Sequence, residues 1–392
     1  MPDTKKLLSF EFLALGMIIL TAFCNVSVFY SFYHYLGAID IPVAWRGFLV
    51  GLEPMAAFIL RLFVLPWLHV RNAFSVMMIS LVFLILVSCS YLWVVTVPAM
   101  IVLRILHGSA FVLLTSAVIA LIVNFIPKEK SGQGFSTLSV ATMIPYAIIP
   151  PISEALLPHL RNEADIYAGV SIFAVAAILL LAALRGRIGL ALQELDGVLM
   201  RRPTLPEIRE NFRLSAVVLL LCSGFLIYLA HATLFYFMKD LSLQTGGGEV
   251  GLFFTISMVA LILMRIFGGG LFDKMNKQRL LKIGLALLVL CFILIPQARS
   301  AYLYYLSAGL YGLCMGMILP LLNAMLFSAS SPPLRGLTIN LTLFTMDAAY
   351  FLMPYFGGLL ITFGAEFRVL FYAGAGFVLL ALILTMSLQE NH

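Results

Sequence analysis

Charge is scarce in this sequence. Asp, Glu, Lys and Arg make up 11% of the 392 residues, against roughly 25% in an ordinary soluble domain. That excludes an ordinary soluble enzyme. It also excludes a disordered chain, which needs high charge and low hydrophobicity. Cysteine is scarce too. Cys24, Cys89, Cys222, Cys291 and Cys314 all fall inside apolar runs and none forms a CxxC pair. They read as small buried hydrophobes, not as a disulfide framework or a metal site. There is no Walker loop to support ATP hydrolysis, and no catalytic residue, cofactor or metal is expected. The alternating segments of about ten residues that build an outer-membrane barrel are missing. A small-residue cleavage site is missing as well, since the first apolar run continues to Leu36, so no cleavable signal peptide is expected.

What is abundant is apolar. Hydrophobic residues are 62% of the chain and the mean hydropathy is +1.06. A bilayer crossing needs about 20 largely apolar residues. The sequence predicts twelve such helices, at 8–36, 43–68, 73–93, 97–125, 133–157, 166–186, 213–237, 248–272, 279–297, 300–327, 335–362 and 367–388. Joints such as Pro332-Pro333 mark helix boundaries. The expected fold is an all-α polytopic membrane protein.

Charge placement predicts the orientation. With the N-terminus in the cytoplasm, 16 of the 24 Lys and Arg residues fall at cytoplasmic ends and 5 (Arg46, Arg161, Lys239, Arg299 and Arg368) on the opposite side. The excess favours that orientation, and an even number of spans returns the C-terminus to the cytoplasm. The expected location is a bacterial cytoplasmic (inner) membrane. These basic residues follow membrane topology, so nucleic acid is not expected as a partner; membrane lipid is.

The most charged connection divides the chain into an N-terminal six-helix domain (1–186), a cytoplasmic linker (187–212) and a C-terminal six-helix domain (213–392). Ile188, Leu192, Leu195 and Leu199 in the linker recur at helical spacing, which fits either a short interfacial helix or a plain linker. A shift of 204 residues superimposes Gly47 on Gly251, Arg61 on Arg265, Gly108 on Gly312, Gly132 on Gly336, Tyr146 on Tyr350 and Pro150 on Pro354. One ungapped offset serves them all. Two six-helix halves running in the same direction and related by a pseudo-twofold axis are the arrangement expected of a rocker-type transporter.

Three local patterns carry a family resemblance. The joint Gly269-Gly270-Leu271-Phe272-Asp273-Lys274-Met275-Asn276-Lys277-Gln278-Arg279 is similar to the cytoplasmic G-x-L-x-D-R-x-G-R-R loop of the major facilitator superfamily. Arg104-Ile105-Leu106-His107-Gly108 resembles its R-x-x-Q-G motif, with His107 in the glutamine position. Pro150-Pro151-Ile152-Ser153-Glu154, and more closely Pro354-Tyr355-Phe356-Gly357-Gly358, resemble the G-P-x-x-G-G motif associated with antiporters. The resemblance implies a transporter with a central cavity between two six-helix domains that open it alternately to each side. Proton-coupled efflux of a small amphipathic organic solute by a monomer is the expected activity. An organic-anion symporter, a facilitative uniporter and a ligand-sensing membrane receptor are the alternatives.

Ionisable residues are expensive in lipid and are usually kept facing protein or water. Those deep in the expected helices are Glu53, Arg61, Arg104, His107, Glu154, His231, Arg265 and Asp347, and they are the candidates for the solute cavity or proton coupling. Arg104 could face the cavity or bond to carbonyl oxygens near a helix end. His107, three residues on, could titrate near neutral pH or serve as a packing hydrogen-bond partner. Glu53 and Arg61 are eight residues apart, roughly 80° apart around a helix, so no direct pair is expected. Arg61 and Arg265 could brace helix ends or attract an anion. Asp347 and Glu154 have no acidic repeat partner, and Asp347 lies deeper, which makes it the preferred proton carrier. Asn25, Tyr30 and His34 on the first span and Tyr228 and His231 on the seventh could cradle a solute. Tyr33, Tyr35, Tyr236, Tyr302, Tyr304 and Tyr305 fit an interfacial aromatic belt better. Gly269, Asp273, Lys274 and Lys277 are the expected cytoplasmic gate.

Overall fold

The computed structural model describes residues 9–64, 70–122, 125, 131–193, 215–330 and 335–387. Twelve helices among them are long and apolar enough to cross a membrane. The first span, Phe10–Ala38, consists of α-helix Phe10–Ser27, a 3-10 turn Val28–Ser31 and α-helix Phe32–Ala38. Spans 2 to 5 are Val43–Val64, Val70–Ser90, Val97–Ile122 and Ser131–Leu156. Span 6 is Glu163–Gly169 followed by Ser171–Gln193. Spans 7 to 12 are Ser215–Thr245, Val250–Lys274, Lys277–Leu294, Ala301–Ala329, Arg335–Thr362 and Phe367–Met386.

Several helix starts are written in the sequence as caps. Ser9 accepts from Phe12 N, Asn162 from Ala164 N, Asn276 from Gln278 N and Arg279 N, and Ser300 from Leu303 N. Each satisfies an amide that the helix leaves unpaired, at about 1 kcal/mol apiece. Prolines 54, 145, 150, 151, 320 and 354 lie inside helices, which membrane spans tolerate because neighbouring groups satisfy the freed carbonyls.

Contacts group the chain into two compact units. One comprises Met1–Phe29 with Met55–Leu199, the other Tyr30–Pro54 with Met200–His392. The sequence division at 187–212 would keep Tyr30–Pro54 with the first six spans; by contact this segment groups with the C-terminal six. Helix six continues through Gln193, so the first residues of the expected linker are helical, while Leu195 and Leu199 lie outside the described residues, as do Pro332 and Pro333. In the first unit, span 1 packs on spans 4, 5 and 6, and span 3 on spans 4 and 6. The second unit repeats the pattern, span 7 packing on 10, 11 and 12, and span 9 on 10 and 12. These contacts follow the 204-residue repeat, and span 8 packs on span 10 in addition.

The core of the first unit is built by Leu15, Ile18 and Ala22 of span 1, Met77, Leu81 and Leu84 of span 3, Leu114 and Val118 of span 4 and Ala177 and Leu181 of span 6. The outward surfaces are equally apolar, with Met17, Ile79, Leu179, Ile266 and Phe267 exposed, as a lipid-facing surface requires. Cys24, Cys291 and Cys314 are buried as expected, but Cys222 is exposed. On a surface that faces lipid, a small apolar side chain has no need of burial.

Backbones approach closely in the second unit. A Cβ on Gly312 of span 10 would collide with the Ser257 carbonyl and lie 2.9 Å from the Ala260 Cβ of span 8. Such contacts cannot yield by a rotamer change, and overpacking of this kind costs about 1–3 kcal/mol. Gly312→Val is expected to lower the melting temperature of the purified protein by several degrees. Gly376→Ala, with nothing within 4 Å of its Cβ, should leave it unchanged. Equal melting temperatures for the two variants would show that the helices are not held at this contact.

Candidate functional site

The first unit buries a hydrogen-bonded polar cluster in its apolar core. Arg104 and His107 are three residues apart on span 4, so both project toward the same neighbours, and both are 0% exposed. Tyr91, just past the end of span 3, accepts from Arg104 Nη1 at 3.3 Å, and its hydroxyl is 3.1 Å from His107 Nδ1. His107 Nε2 is 2.5 Å from Asn25 Oδ1 on span 1. Asn25 Nδ2 donates to Ser88 Oγ on span 3 at 2.8 Å. The Arg104 guanidinium also lies over the Phe29 ring, 5.0 Å from its centre, and Phe29 stacks on Tyr167 with centres 4.4 Å apart. Burying a cation is tolerable only when hydrogen bonds and polarisable rings replace its water, and this cluster provides both.

The second unit holds a different constellation. His231 on span 7 hydrogen-bonds through Nδ1 to Tyr311 on span 10, and its ring lies 5.7 Å from that of Tyr350 on span 11. Phe235 and Tyr236 close on Tyr350 from the same helix as His231. One turn before His231, Tyr228 lies within electrostatic reach of both the Arg265 guanidinium on span 8 and the Asp347 carboxylate on span 11. Asp347 is buried and Arg265 half-buried. A guanidinium, a carboxyl group, a phenol and an imidazole–phenol pair are thus collected among aromatic rings. Such a set can grip a planar or amphipathic solute and offers a carboxylate to a proton.

The segment Tyr30–Pro54 makes its own polar contacts in this unit. His34 Nδ1 lies 3.1 Å from Asp240 Oδ1. The Tyr30 ring meets Phe254 edge-on with centres 5.7 Å apart, and Lys239 Nζ lies 5.9 Å from the centre of that ring. Glu53 is buried at the other end of the segment. Among the described residues no group of three or more His, Cys, Asp or Glu side chains could hold a metal ion.

A model of the Major Facilitator Superfamily matches residues 12–299 and again 220–391. The chain belongs to that superfamily. It is an integral membrane protein. Among solved structures, a mutant of the nucleoside transporter NupG superposes with a TM-score of 0.76 at 14% identity, covering 96% of this chain and 99% of that one. NupG itself gives 0.76 at 12% identity, covering 96% and 98%. A bacterial homologue of the human lysosomal transporter Spinster, inward-facing and unoccupied, gives 0.70 at 12% identity, covering 98% and 96%. At such identities the likeness is one of fold. No curated protein matches the sequence.

Within the superfamily fold, the sequence candidates separate into three sets. Asn25, Arg104 and His107 come together in the first unit, and Tyr228, His231, Arg265 and Asp347 in the second. Tyr30, His34 and Glu53 belong to the segment that groups with the second unit. Glu53 and Arg61 lie on either side of Pro54 in helix Val43–Val64 and are grouped in different units. Arg61 and Glu154 are half-buried near the ends of their helices. Gly269, Asp273 and Lys274 belong to the end of helix Val250–Lys274, but their side chains lie outside the described residues. Lys277 opens the next helix behind its Asn276 cap.

Other corrections follow from burial. Tyr33, Tyr35, Tyr236 and Tyr304 are at most 2% exposed and are core residues, whereas Tyr302, at 74%, fits a belt. Lys239 was expected in a connection; it lies inside span 7, which runs to Thr245, and is buried. The Lys239-Asp240 pair resembles a helix end in sequence, yet here both charges are taken up by packing. Tyr91, Ser88 and Phe29 escape sequence reasoning because neutral residues in apolar runs carry no signal. One signal was available: Tyr311 stands 204 residues after His107, and they hydrogen-bond to spans 7 and 1 respectively, the first span of each six-span half.

Proposed function

We propose that this protein is a secondary active transporter that works by alternating access and exports small amphipathic organic molecules in exchange for protons. The observation that supports this best is the buried Asp347 carboxylate, set with Arg265 around Tyr228 beside the His231–Tyr311–Tyr350 cluster. Superfamily membership and transporter-like fold support secondary transport as a class. A second reading takes polar ring solutes such as nucleosides as cargo. It rests on the same rings, which suit a flat heterocycle, and on the fold shared with NupG. The organic-anion reading is weakened because Arg104 is committed to bonds inside its own unit.

Reconstitution into vesicles tests the reading. Labelled amphipathic cations and labelled nucleosides are offered separately, with and without an imposed pH difference. Saturable flux of an amphipathic solute driven by the pH difference supports proton-coupled export. Flux of the nucleoside alone favours the second reading. Saturable flux indifferent to the pH difference indicates a uniporter, and no flux of any solute removes the transport proposal.

The proposed setting is a bacterial cytoplasmic membrane, with the protein functional as a monomer and both termini inside. Single cysteines at Lys6, Arg201, Lys277 and His392 should then be protected from an impermeant maleimide in sealed cells, and those at Arg161 and Glu366 labelled. The motive is the 16 to 5 bias of basic residues together with an even number of spans. Two or more sites on the wrong side would overturn the layout.

A further inference from the structure

Four hydrogen bonds of the first-unit cluster run in series, and one member has no choice of role. An arginine can only donate. Arg104 Nη1 lies 3.3 Å from Tyr91 Oη, so Tyr91 must accept. A tyrosine hydroxyl has a single hydrogen, and His107 Nδ1 stands 3.1 Å away to take it. With its lone pair on Nδ1, a neutral imidazole carries its hydrogen on Nε2, and Nε2 faces Asn25 Oδ1 at 2.5 Å. The Asn25 amide is then turned with Nδ2 toward Ser88 Oγ, 2.8 Å away.

We propose that Tyr91 is a positioning residue that transmits the fixed donor character of Arg104 to His107 and imposes the Nε2–H tautomer. The result is an oriented chain from Arg104 through Tyr91, His107 and Asn25 to Ser88, which ties the middle of span 1 to spans 3 and 4. All five side chains are at most 2% exposed, so bulk water does not replace a broken link. The rings around them limit reorientation, since Phe29 packs on both Tyr91 and His107 with centres 5.2 and 5.0 Å away. The resemblance at position 107 agrees. The glutamine of the R-x-x-Q-G pattern has an acceptor and a donor on one side chain, the same two roles that the Nε2–H imidazole plays here.

The orientation takes His107 out of proton traffic. To accept a proton at Nδ1, it would require Tyr91 to turn its hydroxyl hydrogen away, toward the Arg104 donor. Tyr91 from span 3, Arg104 on its own helix, and Asn25 and Phe29 from span 1 all hold the neutral ring in place. Proton coupling is then left to groups outside this chain of hydrogen bonds, the Asp347 carboxylate first among them.

The test reads the tautomer directly. Protein with imidazole-15N histidine is placed in lipid nanodiscs, and the His107 resonances are assigned by their loss in His107→Gln. A neutral ring with hydrogen on Nε2 alone is expected. Hydrogen on Nδ1, or on both nitrogens, overturns the proposal. In Tyr91→Phe the two neutral tautomers should become comparably populated; an unchanged Nε2–H signal removes Tyr91 from the role. Should Tyr91→Phe fail to accumulate, His107→Gln and His107→Leu decide. Glutamine preserves the chain and should keep the wild-type melting temperature, while leucine should lose several degrees. Equal losses in the two variants overturn the oriented chain. None of these readouts uses a transported solute, so their failure is distinct from failure of the transport reading.

Discussion

Asp347→Asn is expected to abolish most of the proton-driven accumulation while leaving downhill solute flux measurable. Asp347 is 7% exposed in a span otherwise fit for lipid, and an ionised carboxylate there is costly unless it is paired or neutralised. The Arg265 guanidinium and the Asp347 carboxylate both act on Tyr228, so a small displacement of span 7, 8 or 11 alters the electrostatic surroundings of the acid. Binding a proton in one arrangement and releasing it in another is the linkage that coupling requires. Coupling free energies of ~1–3 kcal/mol correspond to roughly 5–150-fold, so a loss of concentrative transport of about tenfold or more is expected. Glu53→Gln and Glu154→Gln are measured beside it. In vesicles with an imposed pH difference, wild-type accumulation by Asp347→Asn sinks the assignment and moves it to Glu53.

Gly47→Val should have a comparably large effect by a mechanical route. A Cβ at Gly47 would strike the Pro354 carbonyl and lie 2.7 Å from the Gly358 Cα. Both are backbone atoms of span 11, so the helices must separate. The same seam includes Gly51 against Phe351, the Tyr33 ring against Phe237 and Phe367, and the His34–Asp240 contact. Loss of close packing at about 1–3 kcal/mol shifts an equilibrium between packed and separated arrangements by roughly 5–150-fold. A single cysteine at position 34, in a cysteine-free background, should gain reactivity toward a soluble maleimide when Gly47→Val is added, and transport turnover should fall. Gly16→Ala, with nothing within 4 Å of its Cβ, should change neither. Unchanged reactivity and turnover in Gly47→Val would mean that this seam does not open during transport.

Both predictions depend on residues that the sequence marks unequally. Asp347 stands out as a lone acid in an apolar run. Gly47 stands out only as one member of the 204-residue repeat, and its partner Gly251 gives no hint that Gly47 meets Pro354. Similarly, Arg104 and His107 are conspicuous by charge, but the tyrosine that joins them is one of fifteen in the chain. Nothing in its neighbourhood of sequence distinguishes it.

The sequence by itself determined the twelve spans, their approximate ends and the doubled architecture. Those properties follow from composition summed along the chain: a bilayer demands a run of apolar residues of fixed length, and caps such as Asn276 and Ser300 mark where a run begins. Only the tertiary structure decided which side of each helix is inside. In a soluble protein the polar face answers that question, but a membrane span is apolar toward lipid and core alike, so periodicity cannot separate them. For that reason Tyr33 and Tyr304 look like belt residues in sequence and prove to be core, and Lys239 looks like a loop residue and is buried. For the same reason the chain from Arg104 to Ser88, drawn from three helices, has no signature along any one of them. Its donors and acceptors are chosen by neighbours across space, and sequence spacing carries no information about those.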